Sequence, residues 1–160
     1  MLSKNNITMA KEYLQRFEEI EQTISFDIST NNPVMDILLG EKLALAKKMN
    51  ICISCDVNID ETMRIDDFDL CAIFSNAIDN AVKACVNMSS TNKFIDIVAK
   101  RKKDFFVIDI INSYNPEKYM KGDGIGIQTM TLLTEKYSGT IKIEKENAVF
   151  RLSILFVLDN

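Results

Sequence analysis

The sequence predicts an α/β fold: a two-layer sandwich in which a mixed, mostly antiparallel sheet carries its helices on one face. Segments of helical period alternate with segments of period two, and most of the strand-like segments come as adjacent hairpins. With 160 residues and 47% hydrophobic content, the chain can also bury a real core.

Residues 7–24 read as a first helix, with Ala10, Leu14, Phe17, Ile20 and Ile24 on one side and charges on the other. Ser25 to Asn32 breaks it. Asn32 caps a second helix with Pro33 in its first turn, and this helix continues through Leu38, Leu43 and Ala46 to about Met49. Ile51–Val57 alternates like a strand. Asp66 or Asp67 then caps a long helix to about Met88. Phe94–Ala99 and Phe105–Ile111 form a strand pair, with Lys100-Arg101-Lys102-Lys103 as its solvated tip. Asn112 to Gly124 is rich in Asn, Ser, Pro and Gly and reads as a loop. Ile125–Tyr137 is a helix ended by Ser138-Gly139, and Thr140–Glu144 and Val149–Phe156 close the chain, turning near Asn147. The expected division is 1–27 for the N-terminal helix and 28–160 for the α/β domain.

Nineteen basic residues against 23 acidic ones, a net charge of −4, argue against a nucleic-acid or anionic-membrane partner. No stretch approaches the ~20 apolar residues of a membrane span, and the first residues do not open a signal peptide, so a cytoplasmic location is expected. Cys52 and Cys55 have metal-like spacing, but there is no second close pair and no histidine, so reduced thiols are expected. The lack of histidine also excludes Ser-His and Cys-His nucleophile pairs.

The long helix holds the first functional signal. Leu70, Phe74, Ala77, Ile78, Ala81 and Cys85 make an apolar face, and Asn76, Asn80, Lys83 and Asn87 form a narrow polar row beside it. Asn is about 0.5 kcal/mol per residue worse than Ala in a helix. The row is therefore either a merely solvated stripe or a set of amides facing a ligand. The second signal is Gly122-Asp-Gly124-Ile125-Gly126 before a helix, where exposed backbone amides attract phosphate. A loop, not a strand, precedes these glycines, and no Gly-Lys-Ser/Thr follows, which excludes the Rossmann and Walker loops.

The Asn helix, a strand ending in Asn112, a loop, Gly-x-Gly-x-Gly and a closing hairpin stand in the order of the GHKL ATPase superfamily. The chain resembles the ATP-binding domain of a sensor histidine kinase, with the Bergerat-type fold. Asn76-Ala-Ile-Asp-Asn80-Ala-Val-Lys83-Ala and Asn112-Ser-Tyr-Asn are most similar to the peptide-responsive, quorum-sensing type.

The resemblance implies ATP and Mg2+ as cofactors. It implies that Asn80 holds the magnesium bridging the ATP phosphates and that Lys83 contacts phosphate. Asn112 stands where most of the family has an Asp accepting from adenine, and Gly122, Gly124, Ile125 and Gly126 match the second glycine box. Asn76 matches the place of a general base in gyrase-like relatives, where an amide cannot take a proton from water. Ala148-Val149 occupies the place of the family's Gly-Thr box.

The implied activity is transfer of the ATP γ-phosphoryl group to a histidine outside this chain, for relay to a response regulator. The first helix resembles the end of the dimerisation hairpin that carries the acceptor, so a homodimer and a membrane-anchored full-length sensor are also implied. The alternatives are an anti-sigma-type serine kinase, which shares the fold, and a degenerate nucleotide-sensing or dimerisation module without catalysis.

Overall fold

The computed structural model describes residues 27–118 and 124–158. Its elements are α1 (Pro33–Lys48), β1 (Cys52–Val57), α2 (Asp67–Val86), β2 (Phe94–Lys102), β3 (Phe105–Ser113), α3 (Ile125–Lys136), β4 (Thr140–Glu146) and β5 (Val149–Val157). This is the predicted succession. The helix expected over 7–24 lies outside the described residues, as does Gly122.

The strands form one mixed sheet in the order β1-β2-β3-β5-β4. β1 runs parallel to β2, and every other neighbour is antiparallel. Alternation sorts the strand side chains onto two faces. Ile95, Ile97, Phe106, Ile108, Ile154 and Phe156 are buried in one core with the inner sides of the helices. Asp96, Lys100, Asp109, Arg151 and Ser153 belong to the other, open face, where Arg151 and Ser153 both hydrogen-bond the Asp109 carboxylate.

Asn32 caps α1 as expected, its Oδ1 accepting from the amides of Val34 and Met35 at 3.0 Å each. Its Nδ2 also donates to Asp67 at the start of α2, and farther along Lys42 pairs with Asp79 at 2.6 Å. α1 and α2 therefore run side by side in the same direction. α3 runs the opposite way, since its end reaches the start of α2 through Lys136–Asp69 and its beginning meets Asn76 and Asn80 through Gly126.

Two details differ from the sequence reading, and the α3 stop, which falls at Ser138-Gly139 as expected, has a geometry of its own. β2 and β3 are longer than expected, so the turn is Lys103-Asp104 alone. Of the basic run, Lys100 pairs with Asp56 and Arg101 with Asp60, so half of that tip is engaged with acids of the β1 side. The left-handed residue that ends α3 is Ser138 (φ 55°) and not the glycine after it. Ser138 N donates to Glu135 O and Gly139 N to Thr134 O, a Schellman closure shifted by one residue from the glycine. Among the described residues, no helix is long and apolar enough to cross a membrane.

Candidate functional site

α2 is buried along one side by Leu70, Ile73, Phe74, Ala77, Ile78, Ala81 and Cys85, which fixes the direction in which its polar row points. Asn80, Lys83 and Asn87 of that row line a cavity of about 260 Å³. Its remaining wall comes from Ala84 on α2, Asn112 at the end of β3, Tyr114, Asn115 and Lys118 just beyond it, Gly124 and Ile127 at the start of α3, and Phe150 on β5. Residues far apart in sequence are brought together because β3 lies between β2 and β5 in the sheet, and α2 and α3 cross its inner face.

Charge in this cavity is one-sided. Lys83 and Lys118 are its only charged lining side chains among the described residues, and neither forms an ion pair there. On a chain of net charge −4, a hollow with two ammonium groups, four Asn side chains and no carboxylate among the described residues suits a polyanion. The start of α3 adds to it. Gly124 is the cap residue, and among the described residues no side chain caps that end and no acid stands in the first turn, so they leave the helix N-terminus open where it meets the cavity.

Asn112 is 2% exposed, and its Nδ2 donates to the Ser113 carbonyl at 2.9 Å. That bond fixes which end of the amide is which and leaves Oδ1 as an acceptor. Cys85 reaches the same carbonyl through its thiol at 3.5 Å, and burial pushes that thiol's pKa up. Beside Asn112 the wall is apolar. Tyr114 and Phe150 meet edge to face at 6.4 Å, and the Tyr114 amide donates to Ala148 O at 3.0 Å, which ties the chain leaving β3 to the β4–β5 turn.

Asn76 and Gly126 are not among the lining residues. They meet one helical turn from Asn80, at the crossing of α2 and α3. A Cβ on Gly126 would stand 3.0 Å from Asn76 Oδ1 and 3.5 Å from Asn80 Nδ2. Asn76 Nδ2 donates back to Ala72 O at 2.7 Å, so its amide is engaged within α2. Ile125 is 83% exposed, outside the cavity wall.

In the sequence Tyr114 and Asn115 enter only as part of Asn112-Ser-Tyr-Asn, with no task, and Lys118, Ile127 and Phe150 carry no signal. Lys118 falls in a stretch without periodicity, and Phe150 reads only as one more inward position of a strand. The polar row's Asn87 was noted but given no task.

Sequence comparison places this geometry. The chain matches the GHKL domain family over residues 65–157, more than half of its length. The protein belongs to the GHKL domain family. The matched span begins just before α2 and ends with β5, so it contains every lining residue of the cavity. No curated protein matches the chain in sequence. Solved structures of similar fold include the nucleotide-free catalytic domain of histidine kinase ThkA, at 15% identity and TM-score 0.63, with 81% of this chain and 94% of that one covered. Acinetobacter baumannii histidine kinase AdeS is similar at 14% identity and TM-score 0.64, covering 100% and 87%. The mycobacterial sensor histidine kinase MprB gives 14% and 0.56, covering 77% and 95%. At such identities the likeness is one of fold, and the fold is that of the GHKL domain with its open sheet.

Proposed function

We propose that this GHKL chain is the magnesium-ATP-binding catalytic domain of a sensor histidine kinase, delivering the γ-phosphoryl group to a histidine outside this sequence for relay to a response regulator. The observation that carries the reading is the single cavity that joins two lysines without an ion-pair partner among the described residues, a helix start that no described side chain caps, and the amide oxygen of Asn112.

Each end of the cavity has its own chemistry. Asn112 Oδ1 accepts from the exocyclic amino group of adenine, beside the apolar surface of Tyr114 and Phe150. Lys83 offsets phosphate charge, and the free amides at Gly124 and Ile125 add donors. Asn80 offers a neutral oxygen, a donor type that suits magnesium when phosphates complete its shell. Bound there, the cation would supply charge neutralisation across the triphosphate. Asn76 has no proton-accepting group and its amide is engaged with Ala72, so water is not activated. The nucleophile is then the incoming histidine nitrogen. Its bond to the γ-phosphorus forms as the bond to the β–γ bridging oxygen breaks, and ADP leaves.

Residues 1–27 are the end of the dimerisation and acceptor hairpin, residues 28–160 form the catalytic domain, and the whole is the cytoplasmic part of a sensor that dimerises. The peptide-responsive subtype is supported by the Asn76–Ala84 run and by Asn112-Ser-Tyr-Asn. The chain is tested by mixing it with an acceptor-bearing hairpin and γ-labelled ATP. Acid-labile phosphohistidine is expected; acid-stable phosphoserine on a small partner would replace this reading with the serine kinase. A non-catalytic nucleotide sensor is favoured by one observation, the loss of the Gly-Thr box to Ala148-Val149, and it predicts binding by calorimetry without label transfer.

A further inference from the structure

The base end of the cavity stands on a short chain of buried hydrogen bonds. Asn112, Ser113 and Cys85 are 2%, 4% and 0% exposed. Ser113 Oγ accepts from the Phe94 amide at 3.0 Å, which fastens the end of β3 to the start of β2. The Ser113 carbonyl oxygen lies 2.9 Å from Asn112 Nδ2, and the Cys85 thiol of α2 approaches the same oxygen at 3.5 Å. Both contacts are buried, so donors of the protein serve that carbonyl in place of solvent. Strand pairing holds position 112 still. Asn112 lies opposite Ile95 of β2 and Phe150 of β5, and the Tyr114 amide ties the chain just beyond it to Ala148 O. A backbone pinned on both sides leaves the side chain little freedom beyond rotation of its amide, and the Ser113 carbonyl decides that rotation.

We propose, on the nucleotide reading given above, that Asn112 determines base specificity as an amide for which the isosteric acid cannot substitute. A carbonyl oxygen only accepts, so the atom facing it from position 112 has to carry a hydrogen. Asn meets this with Nδ2 and thereby turns Oδ1, a pure acceptor, to the cavity that it lines. An exocyclic amino group satisfies Oδ1. A ring C–H leaves it unpaired in a buried place, and a 6-oxo group sets oxygen against oxygen. The site therefore selects a 6-amino purine over its 6-H and 6-oxo analogues.

Aspartate has nearly the same shape and the opposite need. Its second oxygen would take the place of Nδ2, 2.9 Å from the Ser113 carbonyl oxygen, with no hydrogen between them. Among the described residues the lining cations are Lys83 and Lys118, and neither donates to Ser113 O, where the Cys85 thiol already stands. The carboxylate is then driven to rotate away from that carbonyl, and neither of its oxygens is held on the line to the base. Asn112 is matched to the carbonyl behind it, and an acid would lose the selectivity that the amide supplies.

Calorimetry of the full chain with magnesium and three triphosphates, ATP, ITP and purine riboside triphosphate, tests this, because all three carry the same phosphates and differ at the 6-position edge of the purine. The unaltered chain should prefer ATP to each of the other two by at least about tenfold. Asn112→Ala and Asn112→Asp should each bring the three affinities within about a factor of three of one another, with folding checked by far-UV circular dichroism. Ratios taken within one variant cancel any effect of the added charge on the phosphates. Selectivity kept in either variant would overturn the proposal: in Asn112→Asp because the acid then serves, in Asn112→Ala because another group reads the base. Equal binding of all three triphosphates by the unaltered chain would overturn it without any variant and leave the nucleotide reading standing. Binding of none of them would overturn the nucleotide reading and the proposal with it.

Discussion

Gly139→Ala should destabilise the protein strongly, although the glycine holds no unusual backbone angle. A Cβ there would stand 2.8 Å from the Leu155 carbonyl oxygen, 2.8 Å from Phe156 Cδ1 and 2.9 Å from Thr134 Cγ2. The first is sheet backbone and the other two side chains are at most 1% exposed, so none can step aside freely. Overpacking of this kind costs typically 1–3 kcal/mol, and three rigid neighbours put the estimate at about 2–3 kcal/mol. For a domain of this size that lowers Tm by roughly 5–10 °C. The neighbouring position should respond in the opposite direction. Ser138 carries the left-handed turn, so Ser138→Gly relieves backbone strain and should gain about 0.5–1 kcal/mol, less what the more flexible unfolded chain takes back. Thermal and urea unfolding followed by far-UV circular dichroism measure both. A neutral Gly139→Ala would refute the close-approach argument, and a destabilised Ser138→Gly would refute the backbone-strain argument.

Ala148, also left-handed at φ 60° in the Asn147-Ala148 turn, predicts that Ala148→Gly raises stability by roughly 0.5–1 kcal/mol in the same unfolding assay. Lys83→Ala and Lys118→Ala should each weaken ATP binding about tenfold in calorimetry while leaving adenosine binding within a factor of two, since only the phosphates meet the ammonium groups. The Thr62 hydroxyl, then Arg101, hold the Asp60 carboxyl down at about 2. Depressed in the folded state, this group contributes stability that is present above about pH 4 and lost as pH falls toward 2. Asp60→Asn should therefore flatten that acid limb when Tm is followed from pH 5 to 2. Burial, helped by Asp56, pushes the Cys55 thiol up to about 11, so iodoacetamide at pH 8 should label exposed Cys52 well before Cys55 or buried Cys85.

Where local chemistry decides structure, the sequence was readable in detail. Asn32 and Asp66 cap the helices assigned to them, and the inward residues of α2 are buried as the helical period requires. Departures from local preference occur where tertiary contact outranks it. A glycine after a helix usually supplies the left-handed residue, yet here β5 presses so close that the glycine is needed for space and a serine takes the turn. The basic run resembled a loose tip because Asp56 and Asp60, more than 40 residues away in sequence, become its neighbours only through the β1–β2 pairing.

The candidate site divides the same way. Asn80 and Lys83 were legible because they repeat on one helix, and Asn112 and Gly124 through the motifs around them. Tyr114, Lys118 and Phe150 were not, because their membership depends on β3 pairing with β5 and on the chain turning back beside it. Asn76 belonged to the legible row, but the crossing of α3 over α2 set it against Gly126 and away from the cavity wall.

The two lysines on the cavity wall have a practical consequence for handling the protein. Two ammonium groups sharing one hollow repel each other until an anion arrives, and any multivalent anion supplies that relief without being a substrate. Phosphate and sulfate buffers should therefore behave as weak competitors that also raise Tm. Affinities measured in them would understate the nucleotide's, and a neutral amine buffer with chloride as its counter-ion is the appropriate reference.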